Sequence, residues 1–120
     1  MADKDERGRA GEARAARHLE QAGWRVLARN WRCVHGEIDI VAERGDEIAI
    51  VEVKTRRTRR FGHPLEAITP RKLTRLRYLA IAWVMANPER AWGRQVALHA
   101  VAITGDDPDT GALEHLEHLQ

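Results

Sequence analysis

With 120 residues, 43% of them hydrophobic, the chain suits one compact domain, expected over residues 1–120 with an ordered core at about 8–104. The 20 lysines and arginines against 18 acids give a net charge of only +2, although the basic residues are concentrated mid-chain. The single cysteine, Cys33, excludes an intrachain disulfide and a cysteine-based zinc site. The N-terminus is charged where a signal peptide would be apolar, and no apolar run approaches the ~20 residues that span a bilayer, so we expect a cytoplasmic protein without a membrane helix.

Residues 3–22 are rich in alanine, glutamate, arginine and leucine, contain no proline and precede Gly23, which predicts a first helix. Three strands are predicted next, over residues 24–31, 36–43 and 47–55, because apolar residues there alternate with polar ones. Gly45 lies between the last two of these strands and suits a tight hairpin turn.

The second half of the chain begins with a polar, arginine-rich loop over residues 56–63. A helix of roughly residues 71–87 follows, closed by Pro88, and its apolar stripe consists of Leu73, Leu76, Ala80, Trp83 and Val84. Residues 95–104 predict a fourth strand, 105–111 a loop, and 112–119 a short strand or a helical turn. The order α-β-β-β-α-β(-β) predicts an α/β fold, with a mixed sheet of four to five strands flanked by helices.

The hairpin brings two acids together. A two-residue turn at Gly45 pairs Ile40 with Val51, and one step further it places Asp39 opposite Glu52. Alternation then places on one face the side chains of Glu37, Asp39, Val41, Ile50, Glu52 and Lys54. The same alternation places Ile38 and Ile40 together on the opposite face, and the same register sets Glu37 opposite Lys54.

Like charges directly opposite each other destabilise a sheet, so the pair of Asp39 and Glu52 predicts a compensating cation. Hard carboxylate oxygens suit Mg²⁺ or Mn²⁺. Lys54 lies two residues beyond Glu52, where its ammonium could orient water or neutralise charge on a phosphate. The alternative interpretation is a solvent-exposed hairpin face on which Lys54 simply pairs with Glu37.

Glu12 is a third candidate acid, on the first helix. It shares the stripe of Ala16 and Leu19 that should meet the sheet, where an unpaired carboxylate is costly. The alternative is an acid near a helix N-terminus that swings outward.

These acids belong to a longer set of motifs: Gly11-Glu12, Gly36-Glu37-Ile38-Asp39, Val51-Glu52-Val53-Lys54-Thr55-Arg56, Phe61-Gly62-His63-Pro64 and Lys72. The set resembles the YraN-like family of small bacterial proteins, within the PD-(D/E)XK or restriction-endonuclease-like superfamily and related to archaeal Holliday junction resolvases. The resemblance implies that Asp39 and Glu52 bind metal, with Glu12 as an accessory acid at the metal and Lys54 as the catalytic lysine. It implies no role for Glu37, and it suggests a homodimer. The chain departs from the family pattern at Ala97-Leu98-His99.

The expected function is a Mg²⁺- or Mn²⁺-dependent endonuclease that acts on structured or branched DNA. Basic side chains close to the acids could bind the phosphate backbone: Arg56, Arg57, Arg59, Arg60 and Lys72. The residues are compatible with one or two ions and with RNA as well as DNA. Two alternatives stay open, namely a solvated charged loop and a non-catalytic module that binds nucleic acid or a protein partner. The six histidines show no spacing that predicts a metal site on one face.

Overall fold

Five strands form a mixed sheet with helices on both faces in the computed structural model, which describes residues 4–60 and 62–120. The elements are α1 (Lys4–Gln21), β1 (Arg25–Cys33), β2 (Gly36–Arg44), β3 (Glu47–Arg56), a 3-10 helix (Pro64–Ala67), α2 (Pro70–Ala86), α3 (Pro88–Ala91), β4 (Gln95–Thr104) and β5 (Ala112–Leu116). Asp3, where the first helix was predicted to begin, and Phe61 lie outside the described residues.

The strands lie in the order β1-β2-β3-β4-β5, with all neighbours antiparallel except the parallel pair β3 and β4. The connection from β3 to β4 runs through α2, as a parallel crossover requires. The α/β prediction is therefore confirmed, and the last segment is a strand. The two short helices that begin at Pro64 and Pro88 were not predicted. Each has a proline in its first turn, where a backbone N–H has no acceptor within the helix, so the missing N–H of proline costs no hydrogen bond.

Two hydrophobic layers cover the two faces of the sheet. On one face, α1 contributes Ala15, Ala16 and Leu19, which pack against Ile40, Ala42, Ala49, Val51, Val101 and Ile103. On the other face, α2 contributes Leu73, Leu76, Leu79, Ala80 and Trp83, which pack against Ile38, Val41, Ile48, Ile50 and Leu98. The predicted α2 stripe is confirmed, with Leu79 added and Val84 partly buried. Among the described residues, no helix combines the length and the apolar character needed to cross a membrane.

The hairpin register follows from the turn. Arg44 pairs with Glu47, so Gly45 and Asp46 form the two-residue turn, and Ile40 pairs with Val51 as predicted. Gly45 has a φ of 58°, in the left-handed region that glycine adopts at little cost.

α1 approaches the sheet closely at Gly11, which is buried against Thr55 of β3. A Cβ at position 11 would collide with the Thr55 hydroxyl and would also lie 3.2 Å from its Cβ. Because threonine is branched at Cβ, rotation of its side chain does not clear this space. Gly11 thus allows α1 to carry its next residue, Glu12, close to the end of β3.

The substitution Gly11→Ala is expected to lower the free energy of unfolding by about 1–3 kcal/mol, because overpacking separates α1 from β3. Gly8→Ala is the matched control, since it lies in the same helix with no heavy atom within 4 Å of an added Cβ. It should stabilise the protein by about 0.5–1 kcal/mol through helix propensity. Urea unfolding of both variants measures the difference, and equal effects would contradict the assigned close contact.

Candidate active site

β2 and β3 separate at Asp39. The last pair of their ladder is Ile40 with Val51, and beyond it Asp39 Oδ2 accepts a hydrogen bond from the backbone N–H of Val53, at 2.8 Å. Ile38 packs on the α2 side of the sheet and Ile40 on the α1 side, so the prediction that these two share a face is wrong. The physical reason is that the side-chain carboxylate of Asp39, instead of a backbone carbonyl, accepts the hydrogen bond from β3. The regular alternation of side chains between the two faces of β2 is therefore interrupted at this residue.

The environment of Asp39 opposes its ionisation. Burial, and next the charge of Glu52, raise the pKa of Asp39 from its ordinary value of 3.8 to about 8. A hydrogen bond between the two carboxyls and the charge of Glu12 act in the same direction, whereas the Val53 N–H opposes them. Without a cation, Asp39 therefore holds a proton near neutral pH. The structure brings Asp39 and Glu52 together, although they are not a ladder pair.

Glu12 lies partly buried at the same place. Burial, followed by the charge of Glu37, raises the pKa of Glu12 above its ordinary value, and Glu52 adds to the shift. Arg29 and Asn30 act in the opposite direction. Glu12 therefore faces the other acids instead of swinging outward into solvent.

Lys54 and Glu37 have different partners from those considered from the sequence. The ammonium of Lys54 lies 3.4 Å from Glu52 Oε1, and both side chains are 21% exposed. Glu37 instead forms an ion pair with Arg32 at 3.1 Å, its neighbour across the β1–β2 ladder. The predicted placement of Glu37 opposite Lys54 is wrong, because the β2–β3 ladder ends before it reaches them.

The three acids line a cleft of about 710 Å³, which we call the acid cleft. Its acids are Glu12, Asp39 and Glu52. Its cationic side chains are Arg7, Lys54, Arg56 and Arg57. Gly8 also lines the cleft, and it leaves open space because it has no side chain one helical turn before Glu12. The carboxylates that line the cleft offer oxygen ligands to a cation, and its guanidinium groups offer hydrogen-bond donors to a phosphate.

The acid cleft lies almost wholly within a segment common to many bacterial proteins. Residues 11–103 match the profile of the Uncharacterised protein family UPF0102. The chain belongs to this family. A UPF0102 protein of Renibacterium salmoninarum is 45% identical over 119 residues, which cover 99% of each chain. One from Arthrobacter sp. is 47% identical over 116 residues, 97% of each chain, and one from Acidothermus cellulolyticus is 58% identical over 77 residues, covering 64% of this chain and 58% of the relative.

Membership of UPF0102 confirms the predicted YraN-like resemblance. All three acids and Lys54 fall inside the matched range, while Arg7 and β5 fall outside it. Arg7 was not singled out from the sequence. Its position one turn before Gly11 on α1 was the available signal.

The other basic residues of this UPF0102 chain that were predicted to bind nucleic acid are more scattered. Arg59 donates to Glu114 at 2.6 Å, so its charge is already compensated. Lys72 is exposed on α2 and lines a small neighbouring cavity of about 70 Å³ that Glu52 and Lys54 also border. Arg60 is exposed and lies in the loop beyond β3. Only Arg56 and Arg57 of the predicted cluster line the acid cleft.

Four histidines come together at the opposite end of β3, in a cluster that no spacing in the sequence predicted. His99 is fully buried, and its Nδ1 lies 2.9 Å from His115 Nε2, while His115 Nδ1 lies 3.1 Å from His18 Nε2. Burial, followed by the charges of His99 and His18, lowers the pKa of His115 to about 4. His118 completes the group through Glu47. Contacts between residues so far apart in sequence carry no local spacing signal.

Proposed function

We propose that this UPF0102 protein is a metal-dependent phosphodiesterase that acts on structured or branched DNA. The observation that carries the proposal is Asp39, a largely buried acid beside Glu52 and Glu12 in a cleft with cationic walls. Neither Asp39 nor Glu12 forms an ion pair with a cationic side chain among residues 4–60 and 62–120. Such an arrangement is costly in a purely structural role, and active sites are where it is commonly found.

The donor set fits a hard divalent cation. Mg²⁺ and Mn²⁺ prefer oxygen ligands and are usually held by one or two carboxylates, with water and substrate phosphate in the remaining positions. Asp39 and Glu52 would hold the ion, and Glu12 would contribute from α1. The N–H of Val53 fixes the orientation of the Asp39 carboxylate through Oδ2. When bound, the cation supplies Lewis-acid polarisation of the phosphoryl group.

Lys54 is the residue that would place a positive charge next to the reacting phosphate. Its ammonium is held by Glu52 and is largely shielded from solvent, so its charge acts in a medium of lower dielectric than water. It can orient an attacking water by hydrogen bonding and stabilise negative charge that develops on the phosphate. Arg56, Arg57 and Arg7 would bind phosphates that flank the scissile bond.

Cleavage assays test the proposal directly. Labelled four-way junction, flap, single-stranded and duplex DNA, with the matching RNAs, should be incubated with Mn²⁺, Mg²⁺ or EDTA. We expect metal-dependent cleavage, strongest on a branched DNA, that Asp39→Ala abolishes and that Glu20→Gln, an exposed acid elsewhere on α1, leaves intact. Binding in EDTA with no turnover of any substrate would favour the non-catalytic module. Absence of both binding and cleavage would overturn the assignment.

Arg56 and Arg59 offer a matched test of the phosphate-binding wall. Arg56 lines the acid cleft and its guanidinium donates only to the backbone oxygen of Thr55 among the described residues, whereas Arg59 is paired with Glu114. Arg56→Ala should weaken DNA binding and reduce the slope of log affinity against log salt by about 1. Arg59→Ala should change the slope little. Fluorescence anisotropy at several salt concentrations measures both, and a larger change for Arg59 would contradict this division.

A further inference from the structure

The start of β3 carries a polar cluster that is separate from the acid cleft at its end. Glu47, the first residue of β3, meets His99 of β4 and His118 of the segment after β5. His115 of β5 and His18 of α1 extend the cluster behind His99. Side chains from α1, β3, β4, β5 and the segment after β5 therefore meet in one cluster of a carboxylate and four imidazoles.

Three of these groups present ligand atoms to one point. Glu47 Oε1 lies 3.1 Å from His99 Nε2 and 3.0 Å from His118 Nε2, and the three atoms lie within 4.8 Å of one another. In a tetrahedral zinc site with bonds of about 2.0–2.2 Å, two ligand atoms lie roughly 3.3–3.6 Å apart. The two separations from Glu47 Oε1, 3.0 and 3.1 Å, are slightly shorter than the edges of such a tetrahedron.

The surroundings of His99 hold its ring in the orientation that a ligand needs. Its side chain is fully buried, and its ring packs edge-on against Trp24 with centroids 5.3 Å apart. The nitrogen that faces away from Glu47, Nδ1, is hydrogen-bonded to His115 Nε2. With the proton on Nδ1 donated to His115, the Nε2 lone pair of His99 is free to bind a metal. A hydrogen bond from the second ring nitrogen is the usual support of a histidine ligand.

We propose that Glu47, His99 and His118 form a second metal site, for Zn²⁺ or a similar borderline transition ion. Two imidazoles and one carboxylate suit such ions, whereas Mg²⁺ prefers oxygen ligands alone. His118, with its side chain 58% exposed, lies at the solvent side and gives the ion a path of entry. The fourth position is left to water or to an added ligand. A bound ion would tie the C-terminal segment, whose Leu119 N–H already donates to Leu98, to the start of β3.

Zinc titration of the full chain tests this site independently of the proposed nuclease activity. The protein carries Asp39→Asn throughout, so that the acid cleft does not contribute, and Zn²⁺ binding is measured by competition with a chromophoric chelator. We expect one equivalent of Zn²⁺, with binding weakened at least about tenfold by His118→Ala and by Glu47→Gln. Co²⁺ should give the visible absorption of a tetrahedral site, and His118→Ala should remove it.

Two controls match the tested residues. His35→Ala removes an exposed histidine outside the cluster. Glu117→Gln removes the acid that precedes His118 in sequence, and this acid pairs with Arg44. Both should bind Zn²⁺ within about twofold of their parent. His118 is exposed, so its replacement should leave the metal-free melting temperature unchanged, and it decides the test if Glu47→Gln does not fold. No Zn²⁺ binding, binding indifferent to His118→Ala, or loss of binding in Glu117→Gln would each overturn the proposed site.

Discussion

Asp39→Asn is expected to abolish metal-dependent cleavage and, at pH 8 in EDTA, to raise the free energy of unfolding, because the raised pKa of Asp39 makes its ionised form costly in the folded protein. The amide keeps an oxygen that accepts from the Val53 N–H, and its NH₂ can donate to Glu52 where the carboxylate repels it. The variant thus removes the electrostatic cost of the site together with one of the proposed metal ligands. A residue that lowers stability but is needed for activity is typical of active sites.

The pH dependence fixes the sign of this effect. The pKa of Asp39 is raised from 3.8 to about 8 in the folded protein, so between these values the folded state holds a proton that the unfolded state has released. Stability attributable to Asp39 is therefore complete below about pH 4 and is lost as the pH rises towards 8. Asp39→Asn removes that part of the slope. Other titrating groups affect the stability of both proteins equally, so the difference in stability between wild type and variant at each pH gives the contribution of Asp39.

Thermal unfolding of both proteins from pH 4 to pH 8 in EDTA measures the effect, at about 4 °C for each kcal/mol. Asp46→Asn, in the exposed hairpin turn, is the matched control and should follow the wild type. Saturating Mn²⁺ should make the wild type more stable than Asp39→Asn, because an ion bound only by the folded wild type stabilises it by mass action. A variant less stable than the wild type at pH 8 in EDTA would show that the Asp39 carboxylate is stabilised as an anion.

Lys54→Ala is expected to lower the rate of cleavage at saturating DNA by about 10²–10³-fold while changing DNA affinity little. Lys54 is held against Glu52, within the acid cleft. In the proposed reaction its charge therefore acts on the reacting phosphate more than on the flanking backbone. Lys54→Arg should restore little of the rate, because a planar guanidinium does not reproduce the compact ammonium.

Lys72→Ala is the matched control for Lys54. Lys72 is exposed on α2 and lines the same small cavity as Glu52, but it lies outside the acid cleft. Its loss should weaken DNA binding and leave the rate at saturation unchanged, which is the opposite profile. Single-turnover kinetics over a range of protein concentration separate the two parameters. A wild-type saturated rate in Lys54→Ala would remove this lysine from the reaction.

The residues of β2 and β3 show how far local sequence determines the site. Gly45 sets a two-residue turn, and alternation carries the register from there to Ile40 and Val51, because each step depends only on the previous pair. The sequence therefore brought Asp39, Glu52 and Lys54 to one end of the hairpin. It did not reveal that the ladder stops one pair short of Asp39, since that depends on the bond from Val53 to its carboxylate.

Contacts between residues that lie far apart in sequence were determined only by the tertiary structure. Helical periodicity placed Glu12 on the buried stripe of α1, but its approach to the acids also needs the contact of Gly11 with Thr55. The histidine cluster is the clearest case, because His18 and His99 meet only when α1 and β4 lie on the same sheet. Local patterns carry information about turns, strands and faces, whereas a side chain's neighbours from remote segments are determined by how whole layers pack.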